Sequence, residues 1–335
     1  MPKRRLTRRQ QERIRRLQER RREKLAQAIE TQLAEGKSAP ARPGLVIRRH
    51  GQNLLVRDDD GQDHHCLFRQ NLGEIVCGDR VLWQPTAPGQ GVVVTLLPRD
   101  KVLARPDYSG REKPLAANIT QLVVVLAPRP EPKGYLTDQY LVAAELIGVK
   151  ALIALNKADL LDADELAAFR ARFDLYERIG YPVVTVSAHQ EKGLAPLERH
   201  LQHQTSILVG QSGVGKSSLI NALIPQRPEA VGDLSRATGL GRHTTSAATL
   251  HFLDFGGALI DSPGVRSFRL GRLDRRRLEQ GFREFAPYLG RCRFSNCRHR
   301  REPGCALRQG VAEGKIPPER LENFLHMADS LEERA

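Results

Sequence analysis

The stretch that decides the fold is Gly210-Gln-Ser-Gly-Val-Gly-Lys-Ser217, which fits the pattern G-x-x-x-x-G-K-[ST] at every fixed position. Its glycines let backbone N–H groups turn inward around phosphates. An apolar strand precedes it at residues 206–209, and residues 216–223 predict a helix that opens directly after the loop. Because a helix N-terminus stabilises phosphate, this context favours a phosphate-binding loop over a glycine turn that binds nothing. Lys216 is then expected to reach the β- and γ-phosphates, and Ser217 to ligate Mg²⁺.

A second motif, Asn156-Lys157-Ala158-Asp159, follows a buried strand predicted at residues 151–155. The Asp159 carboxylate can accept hydrogen bonds from guanine N1–H and N2–H₂, whereas adenine leaves it unpaired. Lys157 is expected to lay its aliphatic stem over the purine, and Asn156 to tie this loop to the phosphate loop. Alone, these four residues are also typical of a polar turn; together with a phosphate loop they indicate guanine binding.

A further strand, predicted at residues 180–186, ends in Ser187-Ala188, whose backbone N–H groups are expected to face guanine O6. The complete set of residues expected to bind nucleotide is Asn156, Lys157, Asp159, Ser187, Ala188, Gly210, Gln211, Ser212, Gly213, Val214, Gly215, Lys216, Ser217, Ser218 and Asp261.

The segment Asp261-Ser-Pro-Gly264 ends the apolar run at residues 257–260. Asp261 is expected to hold Mg²⁺ through water, and the Gly264 amide to contact the γ-phosphate. The long polar stretch at residues 231–245 is either disordered or a switch loop. Its end supplies a threonine for Mg²⁺, for which Thr245 is favoured over Thr244.

These motifs stand in an unusual order, because the guanine-reading motifs precede the phosphate loop. A conventional GTPase has the phosphate loop first and the NKxD motif last, so the chain is predicted to be a circularly permuted GTPase.

Residues 44–98 carry five short strand patterns separated by Gly, Asp and Asn turns. Such a spacing predicts a small β-barrel, and the pattern alone fits an OB-fold and an SH3-like barrel equally. Trp83 and Phe68 are candidates for stacking on bases, although packing in the core is the favoured interpretation. Cys66 and Cys77 are expected to be small buried residues.

Near the C-terminus, Cys292, Cys297, His299 and Cys305 place three thiols and one imidazole within fourteen residues. Zn²⁺ takes four such ligands in a tetrahedron, and a Cys₃His set without an open position is structural. The arginine-rich segments between these residues are too polar to pack a core, which favours a metal as organiser over a set of reduced free cysteines.

The net charge of +14 is concentrated in two blocks. Residues 1–25 contain twelve Lys and Arg against three Glu, and residues 265–301 contain twelve Arg against three acidic residues. This concentration favours a polyanion partner such as RNA over a generic basic surface. Residues 3–34 predict either a basic helix that orders on RNA or a free solvated tail. No secretory signal or membrane span is evident, and the five cysteines suit the cytoplasm.

The motif order, the segment Gly241-Arg-His-Thr-Thr245 and the cysteine cluster resemble the ribosome small subunit-dependent GTPase A family, also called RsgA or YjeQ, from about residue 41 onward. The resemblance implies an N-terminal OB-fold, a central α/β circularly permuted P-loop GTPase and a C-terminal helical zinc-binding domain. It also implies hydrolysis of GTP to GDP and phosphate, stimulation by the 30S subunit, and a role in late maturation of that subunit.

From these patterns we expect four segments: a basic arm at residues 1–40, the OB-fold at 41–112, the permuted GTPase domain at 113–275 and the zinc-binding domain at 276–335. The expected ligands are GTP or GDP, Mg²⁺ and one structural Zn²⁺, and the expected partner of this monomer is the 30S subunit with its 16S rRNA. Two alternatives remain open: an RNA-binding assembly module that uses GTP as a structural ligand, and a GTPase that acts on another RNA or on the 50S subunit.

Many GTPases place a glutamine directly after the DxxG motif to orient the attacking water, and here that position is Val265. His243 is the nearest candidate for this role within the switch, and the alternative is a solvated loop residue. If His243 orients water, His243→Ala lowers the turnover number for GTP and leaves the affinity for GTP nearly intact. Steady-state phosphate release and nucleotide titration measure the two quantities, and unchanged turnover favours the solvated-loop interpretation.

Overall fold

The computed structural model describes residues 40–68, 72–106, 111–190, 192–224, 248–262 and 273–332. The described residues divide into two compact units. The first contains the described residues up to Arg99, and the second contains nearly all of those from Asp100 onward. The basic N-terminal arm and the predicted switch loop lie outside the described residues. The four predicted segment boundaries stay predictions.

The first unit is a five-stranded barrel. Its strands are β1 (Arg42–His50), β2 (Asn53–Arg57), β3 (Asp63–Phe68), β4 (Arg80–Ala87) and β5 (Gln90–Leu96). Their order is β1-β2-β3-β5-β4, and β4 pairs back onto β1 to close the barrel. The pairing of β3 with β5 is parallel and the others are antiparallel. This arrangement is a closed five-stranded barrel, as expected of an OB-fold.

The barrel core forms around Trp83, whose side chain is 1% exposed. Its ring packs on Gly91 of β5, where a Cβ atom would lie 2.5 Å from the ring, so this position requires glycine. Phe68 packs at the edge of the same core. Both aromatic residues therefore serve the core, which confirms the favoured interpretation. Cys66 and Cys77 are buried as expected.

The second unit begins with an antiparallel hairpin of β6 (Val102–Pro106) and β7 (Glu112–Ala117). A sheet follows, whose strands are β8 (Gln121–Leu126), β9 (Lys150–Leu155), β10 (Val183–Thr185), β11 (Thr205–Val209), β12 (Thr249–Phe252) and β13 (Ala258–Asp261). Their order in space is β10-β9-β8-β11-β13-β12. Strands β8 to β11 and β13 run parallel to one another. The strand before the phosphate loop, β11, therefore lies between β8, which precedes it in the sequence, and β13, which follows it.

The helices of this unit connect and cover the strands. They are α1 (Gly134–Ile147), α2 (Ala163–Ala171), α3 (Asp174–Arg178), α4 (Ala195–Leu201), α5 (Lys216–Leu223), α6 (Arg275–Gln280), α7 (Ala306–Ala312) and α8 (Pro318–Glu332), with 3₁₀ helices at Ala158–Leu160 and Arg283–Tyr288. The N-cap residue of helix α2 is Asp162, which forms a capping box with Glu165. Within the described ranges, no helix is long and apolar enough to span a membrane.

The C-terminal helices pack on α1 through three aromatic rings. Phe282 and Phe285 stack with their centroids 4.8 Å apart, and Phe324 of α8 meets both edge-on. Val142 of α1 belongs to the same buried cluster. The C-terminal helices and the sheet-covering helix α1 therefore share one core.

A buried ion network crosses this core. Arg320 of α8 is 1% exposed, and its guanidinium lies 2.6 Å from the carboxylates of both Asp138 in α1 and Glu284. Tyr176 and Asn323 also donate hydrogen bonds to Asp138, at 2.9 and 2.7 Å. Burial alone would lower the pKa of Arg320, but the two carboxylates raise it well above its usual value. The network therefore holds a permanent charge inside the core.

Arg320→Met keeps the volume of this side chain but leaves two buried carboxylates without their cation. We expect it to lower the free energy of unfolding by about 3–5 kcal/mol. The matched control is Arg172→Met, since Arg172 forms an exposed pair with Glu131 and its loss should cost at most roughly 1 kcal/mol. Urea denaturation followed by far-UV circular dichroism makes the comparison, and equal small losses would contradict the assignment of this network as the anchor of α8.

Candidate nucleotide and metal sites

Four predicted site segments converge at one edge of the parallel sheet. Asn156 follows β9, Ser187 follows β10 and Gly210 follows β11, while Asp261 is the last residue of β13. Parallel strands place their carboxyl ends at the same edge, which is where open α/β sheets bind ligands. The structure therefore brings the base-reading and phosphate-binding motifs together, although the sequence presents them in the reverse of the conventional order.

The phosphate loop has the backbone conformation that its glycines permit. Gly210, Gly213 and Gly215 have φ values of 143°, 85° and 93°. A Cβ atom on Gly210 would lie 2.3 Å from the Val125 carbonyl oxygen, so the loop also needs glycine for space. Helix α5 begins at Lys216, as the sequence predicts. The Lys216 ammonium donates to the carbonyls of Gly210 and Gln211 at 2.7 and 2.6 Å, which places its charge at the loop.

Asn156 links the base-reading loop to the phosphate loop. Its side-chain amide donates to the Val214 carbonyl at 2.9 Å, and the residue is 2% exposed. A Cβ atom on Gly215 would lie 2.4 Å from the same amide nitrogen, so glycine is required for this approach. Lys157 adds a second link, because its ammonium donates to the carbonyls of Gly213 and Arg129 at 2.6 and 2.9 Å. Two motifs that are distant in the sequence are thereby held in a fixed relation.

Two buried acceptors at this edge have no hydrogen-bond donor among the described residues. They are the side-chain carbonyl oxygens of Asn156 and Gln211. Because buried polar atoms are nearly always paired in folded proteins, unpaired acceptors are typical of a site completed by a ligand or its water. An edge with two such acceptors therefore fits a bound nucleotide.

Asp159 is oriented by a residue whose side-chain role the sequence reasoning missed. The Ser187 hydroxyl donates to an Asp159 carboxylate oxygen at 2.5 Å and accepts from the His189 amide at 3.1 Å. The Ser187 amide itself donates to the Gly193 carbonyl, so of the two amides expected to face guanine only that of Ala188 lacks a partner within the described ranges. A hydroxyl residue directly after a predicted strand was the sequence signal available for this contact.

The Mg²⁺ side of the site is described only in part. Asp261 is half-buried at the end of β13. His243, Thr244, Thr245 and Gly264 lie outside the described residues, so their predicted roles stay predictions.

The four residues of the cysteine cluster meet in space. The Sγ atoms of Cys292, Cys297 and Cys305 and one ring nitrogen of His299 all lie within 4.8 Å of one another. Burial raises the pKa of the Cys297 thiol to about 12 and also raises the pKa of Cys305. A cation among them would favour the thiolates instead. Three thiols and an imidazole at this spacing fit tetrahedral Zn²⁺ without an open position.

Glu302, which the sequence reasoning did not single out, organises the loop between two of these ligands. Its carboxylate accepts hydrogen bonds from the backbone amides of Arg298, Arg300 and Arg301 at 2.8 to 3.0 Å. These hydrogen bonds, that of Arg298 first, lower the pKa of Glu302 to about 2. The carboxylate therefore shapes the segment that carries His299 towards Cys305.

Comparisons with known proteins agree with this geometry. A family model described as RsgA GTPase matches residues 96–271. A protein of Azotobacter vinelandii named small ribosomal subunit biogenesis GTPase RsgA is 47% identical over 341 residues, covering 99% of each chain. A protein of the same name from Pseudomonas aeruginosa PAO1 is 46% identical over 337 residues, again covering 99% of each chain.

Two solved structures are also similar. The crystal structure of YjeQ from Thermotoga maritima has a TM-score of 0.72 and 33% identity, and the match covers 87% of this chain and 99% of that one. YloQ, described as a circularly permuted GTPase, has a TM-score of 0.70 and 26% identity, and the match covers 88% of this chain and 96% of that one.

The contact between Ser187 and Asp159 generates a prediction about nucleotide binding. Ser187→Ala removes a hydrogen bond to a charged group, and we expect it to weaken GDP binding by about tenfold, which is 1.4 kcal/mol. In an Asp159→Ala background the same change should have almost no further effect, because the acceptor is absent. Fluorescence titration with a labelled GDP measures both constants, and additive losses would show that Ser187 acts independently of Asp159.

Proposed function

Because this chain belongs to the RsgA GTPase family, and is therefore a GTPase that uses Mg²⁺, we propose that it acts on the small ribosomal subunit. In this proposal it binds the 30S subunit, assists its late maturation, and hydrolyses GTP to GDP and phosphate faster when it is bound there. It works in the cytoplasm as a monomer and contacts 16S rRNA. The names of the relatives from Azotobacter vinelandii and Pseudomonas aeruginosa support the involvement of the small subunit.

The observation that carries the nucleotide part of the proposal is the Asn156 hydrogen bond to Val214. It holds a guanine-reading motif against a phosphate loop, so one ligand containing both a guanine and a phosphate chain spans the two. ATP fits the phosphate loop equally well, but adenine offers no N–H pair to the Asp159 carboxylate. The arrangement therefore favours GTP over ATP.

In the proposed reaction, each residue stabilises charge or positions a reactant, and none of them forms a covalent bond. Water attacks the γ-phosphorus, the bond to the β–γ bridging oxygen breaks, and that oxygen leaves on GDP. Lys216 turns from the loop carbonyls to the β- and γ-phosphates, where its charge offsets the negative charge that develops. Ser217, Thr245 and Asp261 hold Mg²⁺, which when bound neutralises charge on the phosphate oxygens.

The remaining proposed contacts concern the γ-phosphate and the base. The Gly264 amide contacts the γ-phosphate, and His243 orients the water. Asp159, steadied by Ser187, pairs with the guanine edge, and the Ala188 amide faces O6. Lys157 covers the purine with its stem while its ammonium stays on the Gly213 carbonyl.

The surface beside the cysteine cluster supports an RNA partner. Arg291 and Arg293 are exposed and have no carboxylate partner among the described residues, and Phe294 is 42% exposed. The Arg293 guanidinium lies 5.6 Å from the Phe294 ring centroid. Guanidinium groups bind phosphates and an exposed ring stacks on unpaired bases, which is the combination that folded RNA presents. This surface therefore supports the proposed contact with 16S rRNA.

The experiment that tests the proposal is phosphate release from GTP by the protein alone, with purified 30S subunits, and with purified 50S subunits at matched salt. We expect stimulation of at least about tenfold by 30S subunits only, which corresponds to 1.36 kcal/mol of the barrier. The stimulation should fall as ionic strength rises, because phosphate contacts release counterions.

The other outcomes identify the alternatives. Stimulation by 50S subunits would assign the protein to the large subunit. Nucleotide binding without multiple turnover, in the presence of either subunit, would identify an assembly module that keeps GTP as a structural ligand. Turnover that neither subunit changes would remove the ribosome from the proposed mechanism.

A further inference from the structure

A carboxylate lies directly behind the histidine of the cysteine cluster. One ring nitrogen of His299, Nδ1, lies 3.3 Å from the Cys305 sulfur and 3.6 Å from the Cys292 sulfur. The other, Nε2, lies 3.2 Å from a carboxylate oxygen of Glu279. The side chains of His299 and Glu279 are 7% and 15% exposed, so water competes little for this contact.

The orientation of the ring is held from more than one side. The backbone of His299 is left-handed, with φ at 62°, a conformation that non-glycine residues seldom adopt. The Phe324 ring packs against the imidazole in a T-shaped arrangement, with 6.0 Å between the ring centroids. Because these constraints point Nδ1 towards the thiols and Nε2 towards Glu279, the two nitrogens have different functions.

We propose that Glu279 is the positioning residue of the metal centre. Its carboxylate accepts the Nε2–H of the neutral imidazole, which leaves the lone pair on Nδ1 and makes Nδ1 the metal ligand. A histidine ligand is commonly fixed in this way by a carboxylate or a carbonyl on its second nitrogen. The proposal rests on the Cys₃His zinc site and adds to it a residue outside the ligand set.

The position of Glu279 in the chain gives this contact a second consequence. Glu279 lies in α6, whose N-cap residue is Asp274. This helix is the first described helix after β13, the strand that ends in Asp261. The cluster ligands themselves all come later, from residue 292 onward. The hydrogen bond to His299 therefore attaches the metal centre to the segment that continues from the nucleotide edge, and zinc affinity depends on α6 staying in place.

The test compares zinc affinity in three variants of the protein. Glu279→Ala removes the acceptor, and we expect zinc affinity to fall about 10- to 100-fold, as is typical when the partner of a metal-bound histidine is lost. Glu279→Gln keeps a carbonyl acceptor but not the charge, so its loss should be smaller. Glu322→Ala is the matched control, because it removes an exposed carboxylate of α8 and should leave zinc affinity unchanged.

Two readouts are needed. Competition with a chromogenic chelator gives the zinc affinity, and the absorption spectrum of the Co²⁺-substituted protein reports the ligand field at the metal. We expect the Co²⁺ bands to shift in Glu279→Ala and to lie closer to those of the unmodified protein in Glu279→Gln. If Glu279→Ala does not fold, the Glu279→Gln variant alone decides, through a reduced affinity with shifted Co²⁺ bands.

Two results would overturn the proposal: unchanged zinc affinity in Glu279→Ala, or equal losses in Glu279→Ala and Glu322→Ala. Where Glu279→Ala does not fold, a Glu279→Gln variant identical to the unmodified protein in both readouts overturns it. Failure of the unmodified protein to bind one Zn²⁺ or Co²⁺ would instead remove the zinc site on which the proposal rests. Neither readout depends on GTP hydrolysis or on the ribosome, so the proposed function stands or falls separately.

Discussion

A single buried guanidinium, that of Arg320, determines how the C-terminal helices attach to the nucleotide-binding sheet. Asp138 in α1 and Glu284 in the 3₁₀ helix neutralise it, and Phe282 covers its face at 4.5 Å. An ion placed in a core is tolerated only when every charged group has its partner, so α1, the 3₁₀ helix and α8 have little freedom to move apart. Helix α1 also packs on strands of the sheet. The helices next to the cysteine cluster are therefore held firmly to the sheet.

The nucleotide edge shows a different kind of constraint, because it is assembled from segments that are far apart in the chain. The Asn156 amide and the Val214 carbonyl are separated by 58 residues, yet their hydrogen bond fixes the predicted guanine-reading loop relative to the predicted phosphate loop. Gly215 permits the approach by having no side chain. Two neighbouring acceptors, on Asn156 and Gln211, lack donors within the described part of the chain, which is consistent with an edge that is complete only with its ligand.

Local patterns were sufficient to predict the parts of the fold that depend on local chemistry. The glycine-rich loop and helix α5 follow from a motif of eight residues, and the barrel strands follow from apolar runs between turn residues. The Cys₃His cluster follows from ligand spacing. Ordinary polar residues gave no comparable signal. Arg320 and Asp138 lie 182 positions apart, and neither differs in sequence from a surface charge. Ser187 was expected to act through its amide, because a hydroxyl after a predicted strand is too weak a signal to identify Asp159 as its partner. Glu302 and Glu279 carry no sequence signal for the same reason. Glu302 contacts backbone amides and Glu279 contacts a ring nitrogen, and only folding brings these partners close.

The position of β11 between β8 and β13 has a consequence for the order in which a growing chain acquires its parts. Strand β8 pairs on one side with β11, which is synthesised later, because Gln121 pairs with Ser206 at a distance of 85 positions in the chain. A nascent chain that has just completed β10 holds the guanine-reading loop beside a strand edge that is still bare. The phosphate loop is added afterwards, and the aspartate that ends β13 later still. Synthesis from the N-terminus therefore completes the predicted guanine-reading motifs before the predicted phosphate loop, so a chain that ends at β10 is expected to lack the phosphate contacts of the site.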